Sequence, residues 1–173
     1  LEDFAVLFGT TPDRIPSDCQ ALIEKHDFRY RKLVGDERDQ ILLDVLKKIE
    51  TDQQQIGAGE RKGIWENGWS GNFQAFCDSR NDLNQLIPKY MRPNQVLRLN
   101  RQYIMPANPN FELEYYSIFR HWLFSIYLSD IQTVYEFGCG TGWNLVALAQ
   151  IYPSMEIHGL DFVPSSRELI DTI

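Results

Sequence analysis

The sequence predicts an α/β fold in which a mainly helical N-terminal region precedes the first two βα units of a parallel sheet. Three observations predict this fold: an apolar run at 134–137, glycines at alternate positions in 138–142, and a second apolar run at 157–160. A helical pattern lies between the two runs, so strand, turn, helix and strand follow in order. We expect residues 1–110 to form an accessory region and residues 111–173 to begin the sheet domain.

The N-terminal region contains one clear helix and three less regular segments. The five glycines of Gly57–Gly71 predict a turn-rich connector, Asp78–Tyr90 predicts a helix, and the even spacing of apolar residues at 97–105 predicts a strand. The clear helix is Asp36–Thr51, which is amphipathic and is expected to pack on an apolar surface. Its apolar face carries Ile41, Leu42, Val45, Leu46 and Ile49.

The elements around the glycines are predicted from caps and periodicity. Asn108 and Pro109 are helix-start signals for a mostly apolar helix over Phe111–Leu128, which should be buried. A shorter helix is predicted over Asn144–Tyr152, and a second parallel strand over Glu156–Asp161.

Composition excludes several classes of protein. The 173 residues are 43% hydrophobic, enough to bury a core, and a net charge of −7 weakens attraction to nucleic-acid phosphates. No signal peptide is evident, and the longest apolar stretch is too charged and too short to span a bilayer. Three cysteines without Cys-x-x-Cys spacing indicate reduced thiols in the cytoplasm. We therefore expect a cytoplasmic protein with neither a nucleic-acid nor a membrane partner.

The glycines at 138, 140 and 142 predict a turn that binds a nucleotide-like ligand. Glycine allows backbone conformations closed to other residues and lets a ligand approach the main chain. Nineteen residues after Gly142, the second apolar run ends in Asp161, where an acid can hold a ribose. Cys139 has no neighbouring histidine to activate it, so we interpret it as a small packing residue and not as a nucleophile.

The residue after the turn distinguishes between two ligand classes. In the dinucleotide fingerprint Gly-x-Gly-x-x-Gly, the last glycine allows tight packing of helix against strand. Counted from Gly138, that position holds Trp143. A bulky indole there argues against NAD or FAD.

The pattern Glu136-x-Gly138-x-Gly140-x-Gly142 resembles motif I of the class I S-adenosylmethionine-dependent methyltransferases, which have a Rossmann-like sheet. The resemblance covers residues 131–165. It implies S-adenosylmethionine as the cofactor, with the loop against its methionine part, Asp161 accepting hydrogen bonds from both ribose hydroxyls and Phe162 on the adenine. The implied cofactor residues are Glu136, Phe137, Gly138, Cys139, Gly140, Gly142, Asp161 and Phe162.

A complete sheet of that family needs more strands than remain after Asp161, so we expect this chain to be the N-terminal part of a longer protein. Two parallel strands cannot cover their own faces and edges. The exposed sheet edge would need a partner, and a second copy of the chain is one candidate.

The resemblance implies transfer of a methyl group to an acceptor, for which a small molecule is the first hypothesis and a protein the second. No catalytic residue is identified. A non-catalytic cofactor-binding or assembly module is the alternative, and a dehydrogenase is third. Tyr103, Asn108 and Asn110 could approach the ligands, although a loop or capping role is more ordinary. Trp65 and Trp69 could form an aromatic wall for the acceptor, although packing is the commoner role.

The three histidines do not indicate a metal site. His26, His121 and His158 show no metal-ligand spacing with one another or with the cysteines. We therefore expect no metal.

Overall fold

The chain forms two compact units in a computed structural model that describes residues 1–52 and 58–173. The first unit comprises Leu1–Lys47 and Met91–Ser129, and the second comprises Lys48–Tyr90 and Asp130–Ile173. Helices and small sheets in these ranges confirm the predicted α/β class. The predicted functional division after residue 110 stays a prediction.

Three helices build the core of the first unit: α1 (Glu2–Phe8), α2 (Ser17–Lys25) and α5 (Phe111–Tyr127). The predicted helix over 111–128 is thereby confirmed, but it begins two residues after Pro109. The Asn108 side chain accepts a hydrogen bond from the N–H of Asn110 in a short turn ahead of the helix. The buried core residues are Phe4, Ala5, Phe8, Ile15, Cys19, Ile23, Ile118 and Trp122.

A small antiparallel sheet also belongs to the first unit. Its strands are β1 (Tyr30–Lys32), β2 (Leu97–Leu99) and β3 (Gln102–Pro106), in the order β1-β3-β2. The prediction of one strand over 97–105 is wrong, because Asn100 and Arg101 have φ of 44° and 64° and turn the chain back. A two-residue turn with positive φ is the usual connection in a tight hairpin.

Helix α3 (Gly35–Asp52) confirms the amphipathic helix predicted from periodicity. The expectation that its apolar face packs on another surface is wrong for the described residues. Four of the five residues of that face are between 37% and 55% exposed, namely Leu42, Val45, Leu46 and Ile49, and Ile41 is partly buried.

Helix α4 (Ala58–Asp78) occupies the segment for which a connector was predicted. The prediction over 58–71 is wrong, and Gly57 lies outside the described residues. Glycine in a helix costs up to about 1 kcal/mol relative to alanine. Here the aromatic residues are spaced along one helical face, and the packing of Phe73 and Phe76 in the core offsets the cost of the glycines. The aromatic residues are Trp65, Trp69, Phe73 and Phe76, of which Phe73 and Phe76 belong to the second core cluster.

The predicted helix over 78–90 is also wrong. Arg80 and Asn81 have positive φ values of 62° and 64°, which end α4, and only a short 3-10 helix, Leu83–Leu86, follows. The Asp82 carboxylate caps it by accepting a hydrogen bond from the N–H of Asn84 at 3.0 Å.

The second unit contains the predicted strand, helix and strand. Strand β4 (Thr133–Phe137) pairs in parallel with β5 (Glu156–Leu160), and α6 (Trp143–Ile151) lies between them in sequence. A further helix, α7 (Pro164–Ile170), follows β5. A Cβ at Gly159 would lie 2.5 Å from Leu145 of α6, so the glycine allows the helix to lie close to the strand.

The opposite face of this parallel pair is exposed. Side chains alternate between the two faces of a strand, which places Tyr135 and Phe137 on the side away from Gly159. Tyr135, Phe137 and Leu160 are 58%, 80% and 42% exposed. No helix in the described part of the chain is both long and apolar enough to cross a membrane.

Candidate cofactor site at the carboxyl ends of β4 and β5

The three glycines of the loop after β4 have the backbone conformation that the sequence predicts. Gly138, Gly140 and Gly142 have φ values of 75°, 55° and 73°, in the left-handed region that favours glycine. The position that a Cβ would take at Gly138 has no atom within 4 Å, so the loop borders open space there. Gly142 ends the loop as the N-cap of α6.

The loop is fastened to the end of β5 by its own amides. Gly138 and Cys139 donate their N–H groups to the Leu160 carbonyl, with N to O distances of 2.7 and 3.3 Å. Gly140 donates its N–H to Oδ2 of Asp161 at 2.8 Å. The structure therefore brings the predicted glycines and the predicted acid together. These three N–H groups are already used, so a ligand would meet the loop at the open face of Gly138.

The Asp161 carboxylate keeps the capacity to accept further hydrogen bonds. Its Oδ2 accepts the Gly140 amide, and its Oδ1 accepts the N–H of Val163 at 2.9 Å. An ionised carboxylate has about four acceptor positions, so about two remain. That number suits the two hydroxyls of a ribose.

Glu136 and Cys139 support the loop from within the unit. Oε1 of Glu136 accepts a hydrogen bond from the Asn144 side chain at 2.8 Å and so connects β4 to the first turn of α6. Cys139 is buried, and burial together with the charges of Asp161 and Glu136 raises the pKa of its thiol to about 11. A neutral, buried thiol is consistent with the predicted packing role.

The two phenylalanines of the predicted site and Trp143 have contrasting environments. Phe137 and Phe162 are 80% and 65% exposed, so both rings have faces accessible to a ligand. Trp143 instead packs against the core cluster of Phe76, Leu86 and Leu169. Trp143 is the first residue of α6 and holds the position at which a dinucleotide fingerprint has its last glycine, which allows close packing of helix against strand.

Helix α4 supplies a neighbour of the loop that sequence reasoning did not assign to the cofactor. Carbons of the Trp69 indole lie 3.1, 3.3 and 3.5 Å from the position that a Cβ would take at Gly140. The Thr141 hydroxyl donates to the Leu86 carbonyl at 2.5 Å, which connects the loop to the 3-10 helix. The spacing of aromatic residues in the α4 segment fits a helix, but its glycines indicate a connector.

Buried Asn72 holds the 3-10 helix against α4. Its side-chain amide donates to the carbonyls of Gln85 and Ile87 at 2.6 and 3.1 Å. Asn72 lies one turn after Trp69 on α4, so these hydrogen bonds also help to hold the helix that carries Trp69.

Three other candidates belong to the first unit and have ordinary structural roles there. Asn108 donates its side-chain N–H to Glu114 at 2.5 Å and accepts from the N–H of Asn110. The carbonyl of Tyr103 accepts the N–H of Leu33 at 2.8 Å. The candidate site as described consists of residues from the second unit.

Each histidine pairs with a carboxylate. His26 lies 3.2 Å from Glu114, and His158 lies 3.0 Å from Glu156. The potential ligand atoms of Asp18, Cys19 and His121 all lie within 4.8 Å of one another.

The Asp18 cluster is a hydrogen-bonded carboxylate and histidine beside a thiol. Oδ2 of Asp18 lies 2.5 Å from Nε2 of His121, whose hydrogen bond lowers the pKa of that carboxyl. Burial and the neighbouring Asp18 charge raise the pKa of Cys19 to about 12. Exposed acidic groups often lie together without an ion, and three neighbouring donor atoms are not by themselves a metal site, so we assign no metal to this cluster.

Comparisons of this chain with protein-family models, with curated proteins and with solved structures find no match.

Proposed function

We propose that this chain belongs to an S-adenosylmethionine-dependent methyltransferase and that β4, α6 and β5 are the first part of its Rossmann-like sheet. The observation that carries the proposal is the Asp161 carboxylate. It accepts the Gly140 amide at 2.8 Å, keeps acceptor capacity, and stands beside a loop that is open at Gly138. An acid and a glycine loop at the carboxyl ends of adjacent parallel strands are the usual place for a nucleotide-like ligand in an α/β sheet.

The cofactor would lie across the carboxyl ends of β4 and β5. The methionine part would lie on the loop, Asp161 would accept hydrogen bonds from the ribose hydroxyls, and the exposed ring of Phe162 would cover the adenine. Glu136 would act indirectly, through its hydrogen bond to Asn144. The residues assigned to the loop contact are Phe137, Gly138, Cys139, Gly140 and Gly142.

The bound cofactor would supply a methyl group on a positively charged sulfur. Transfer from sulfur is a displacement in line with the attacking atom, so the protein contributes mainly by holding donor and acceptor in position. We propose a small-molecule acceptor and a cytoplasmic protein, and we assign no catalytic residue. The net charge of −7 supports an acceptor other than nucleic acid.

A second role is favoured by the exposed face of the parallel pair. Tyr135, Phe137 and Leu160 form an apolar surface, and β4 pairs only with β5 among the described residues. We propose that a second copy of the chain adds to this sheet, since an unpaired strand edge beside an apolar face favours strand addition. Such assembly is compatible with a cofactor-binding module that does not catalyse transfer.

Calorimetric titration of S-adenosylmethionine tests the cofactor. Asp161→Ala should weaken binding by about 3 kcal/mol or more, roughly a hundredfold, because two charge-assisted hydrogen bonds are lost. Asp171→Ala is the matched control, because it removes the same charge from an exposed residue at the end of α7. Wild-type protein that binds NAD but not S-adenosylmethionine would overturn the proposal, and so would equal binding by wild type and Asp161→Ala.

A further inference from the structure

Helix α4 places a pair of stacked indoles beside the glycine loop. The Trp65 and Trp69 rings have centroids 5.6 Å apart and an interplanar angle of 25°. Trp69 lies against Gly140, with its nearest ring carbon 3.1 Å from the position of a Cβ there. Trp65 is 43% exposed, so the pair extends from the loop to the surface of the unit.

A carboxylate accompanies the two indoles. Glu66 lies between them in sequence, on the turn of α4 that also carries Trp69. Its Oε2 atom is buried and accepts no hydrogen bond from the described residues. A buried carboxylate oxygen without a donor is costly, and a cation or an N–H donor from a ligand would remove that cost.

Indole faces and carboxylates share one preference, which is for positive charge. A cation within about 6 Å of an indole face is attracted by the ring quadrupole, and the attraction grows when water is excluded. The space over Gly138 is open, and Trp69 lies against Gly140 two residues along the same loop, so a ligand seated on the loop would lie near the indole. A divalent metal is a poorer fit, because it requires several oxygen ligands.

We propose that Trp69 and Glu66 form a cation-binding wall that recognises the positive charge of the methyl donor. This inference rests on the proposed function, since it takes the methionine part of the cofactor to lie on the loop. The sulfur of the donor is a cation before transfer and a neutral thioether afterwards. The wall therefore favours the donor over the demethylated product, S-adenosylhomocysteine, and promotes release of that product.

The test is the ratio of dissociation constants for S-adenosylhomocysteine and S-adenosylmethionine, measured by calorimetry on the whole chain. The two ligands differ by one methyl group and one charge, so losses of fold or of ribose binding largely cancel in the ratio. Trp69→Leu keeps apolar bulk but removes the aromatic face, and we expect it to reduce the preference for the donor about fivefold to thirtyfold. Glu66→Gln keeps the shape and should reduce the preference in the same direction.

Glu168→Gln is the matched control, because Glu168 is exposed on α7 and the same charge is removed. It should leave the ratio unchanged. If the ratio were unchanged in both Trp69→Leu and Glu66→Gln while both ligands still bound, this inference would be overturned but the proposed function would not. If Trp69→Leu bound both ligands more tightly by the same factor, the inference would also be overturned, because the indole would then block access to the loop. Failure of wild type to bind either ligand would overturn the proposed function as well.

Discussion

Asp161 connects three parts of the candidate site through one carboxylate. It follows β5, accepts the amide of Gly140 from the loop, and accepts the amide of Val163 at the start of α7. Charge-assisted hydrogen bonds of this kind are roughly twice as strong as neutral ones. The acid therefore fixes the loop conformation and presents its remaining acceptor positions at the same edge of the sheet.

The cysteines give a prediction at the scale of single residues. Burial raises the pKa values of Cys19 and Cys139 to about 12 and 11, whereas Cys77 is exposed. At pH 8 a thiol of pKa 11 is about one thousandth thiolate, and the thiolate is the reactive form. In folded protein, iodoacetamide should modify Cys77 and spare the other two, as measured by mass spectrometry of peptides.

Denaturant provides the control for this experiment, because all three cysteines should then be modified. The fraction of thiolate rises with pH, so modification of Cys139 in the folded protein should increase as pH approaches 11. Modification of Cys139 as fast as Cys77 at pH 8 would contradict the packing role assigned to it.

The backbone conformation of the loop can be predicted from the sequence, because its causes are local. Positive φ at Gly138, Gly140 and Gly142 follows from a strand that must turn at once into a helix. The contact of Trp69 with Gly140 could not be predicted in the same way. This contact depends on where α4 packs in the folded chain, and the residue spacing within the loop carries no information about that.

At the scale of elements, local signals predict the helices and strands that carry them. Periodicity predicts α3 and α6, cap residues and apolar content predict α5, and two short apolar runs predict β4 and β5. Helix α4 is not predicted, because its glycines indicate a connector although its aromatic spacing fits a helix. Its packing against α7 and the 3-10 helix is tertiary and overrides local propensity.

The parallel pair gives the prediction at this scale. Tyr135 is 58% exposed on the apolar face, so Tyr135→Asp should introduce charge there, at the cost of the stacking of Tyr135 on the His158 ring. We expect wild-type protein to associate with increasing concentration in sedimentation velocity experiments, and Tyr135→Asp to remain monomeric.

Leu46→Asp is the matched control, because it introduces the same charge on the exposed apolar face of helix α3 instead of on the sheet. Leu46 is 55% exposed on α3, and its substitution should leave association unchanged. Loss of association in Leu46→Asp with persistence in Tyr135→Asp would contradict assembly through the sheet.

At the scale of the whole molecule, the second unit is assembled from two separated stretches of chain. Residues 48–90 contribute α4 and the 3-10 helix, while residues 130–173 contribute the loop and Asp161. Sequence patterns identify elements one at a time and do not specify which distant elements pack together. The sequence therefore predicts the loop and the acid of the C-terminal stretch but not the contact that α4 makes with the loop.

Hydrogen exchange with and without S-adenosylmethionine tests most directly whether the cofactor binds at this loop. We expect slower exchange in peptides covering 136–145 and 158–164, with a smaller effect in 64–72. Peptides from the β2–β3 hairpin at 97–106 should exchange at unchanged rates. Binding of S-adenosylmethionine that leaves 136–145 and 158–164 unchanged would contradict the central claim.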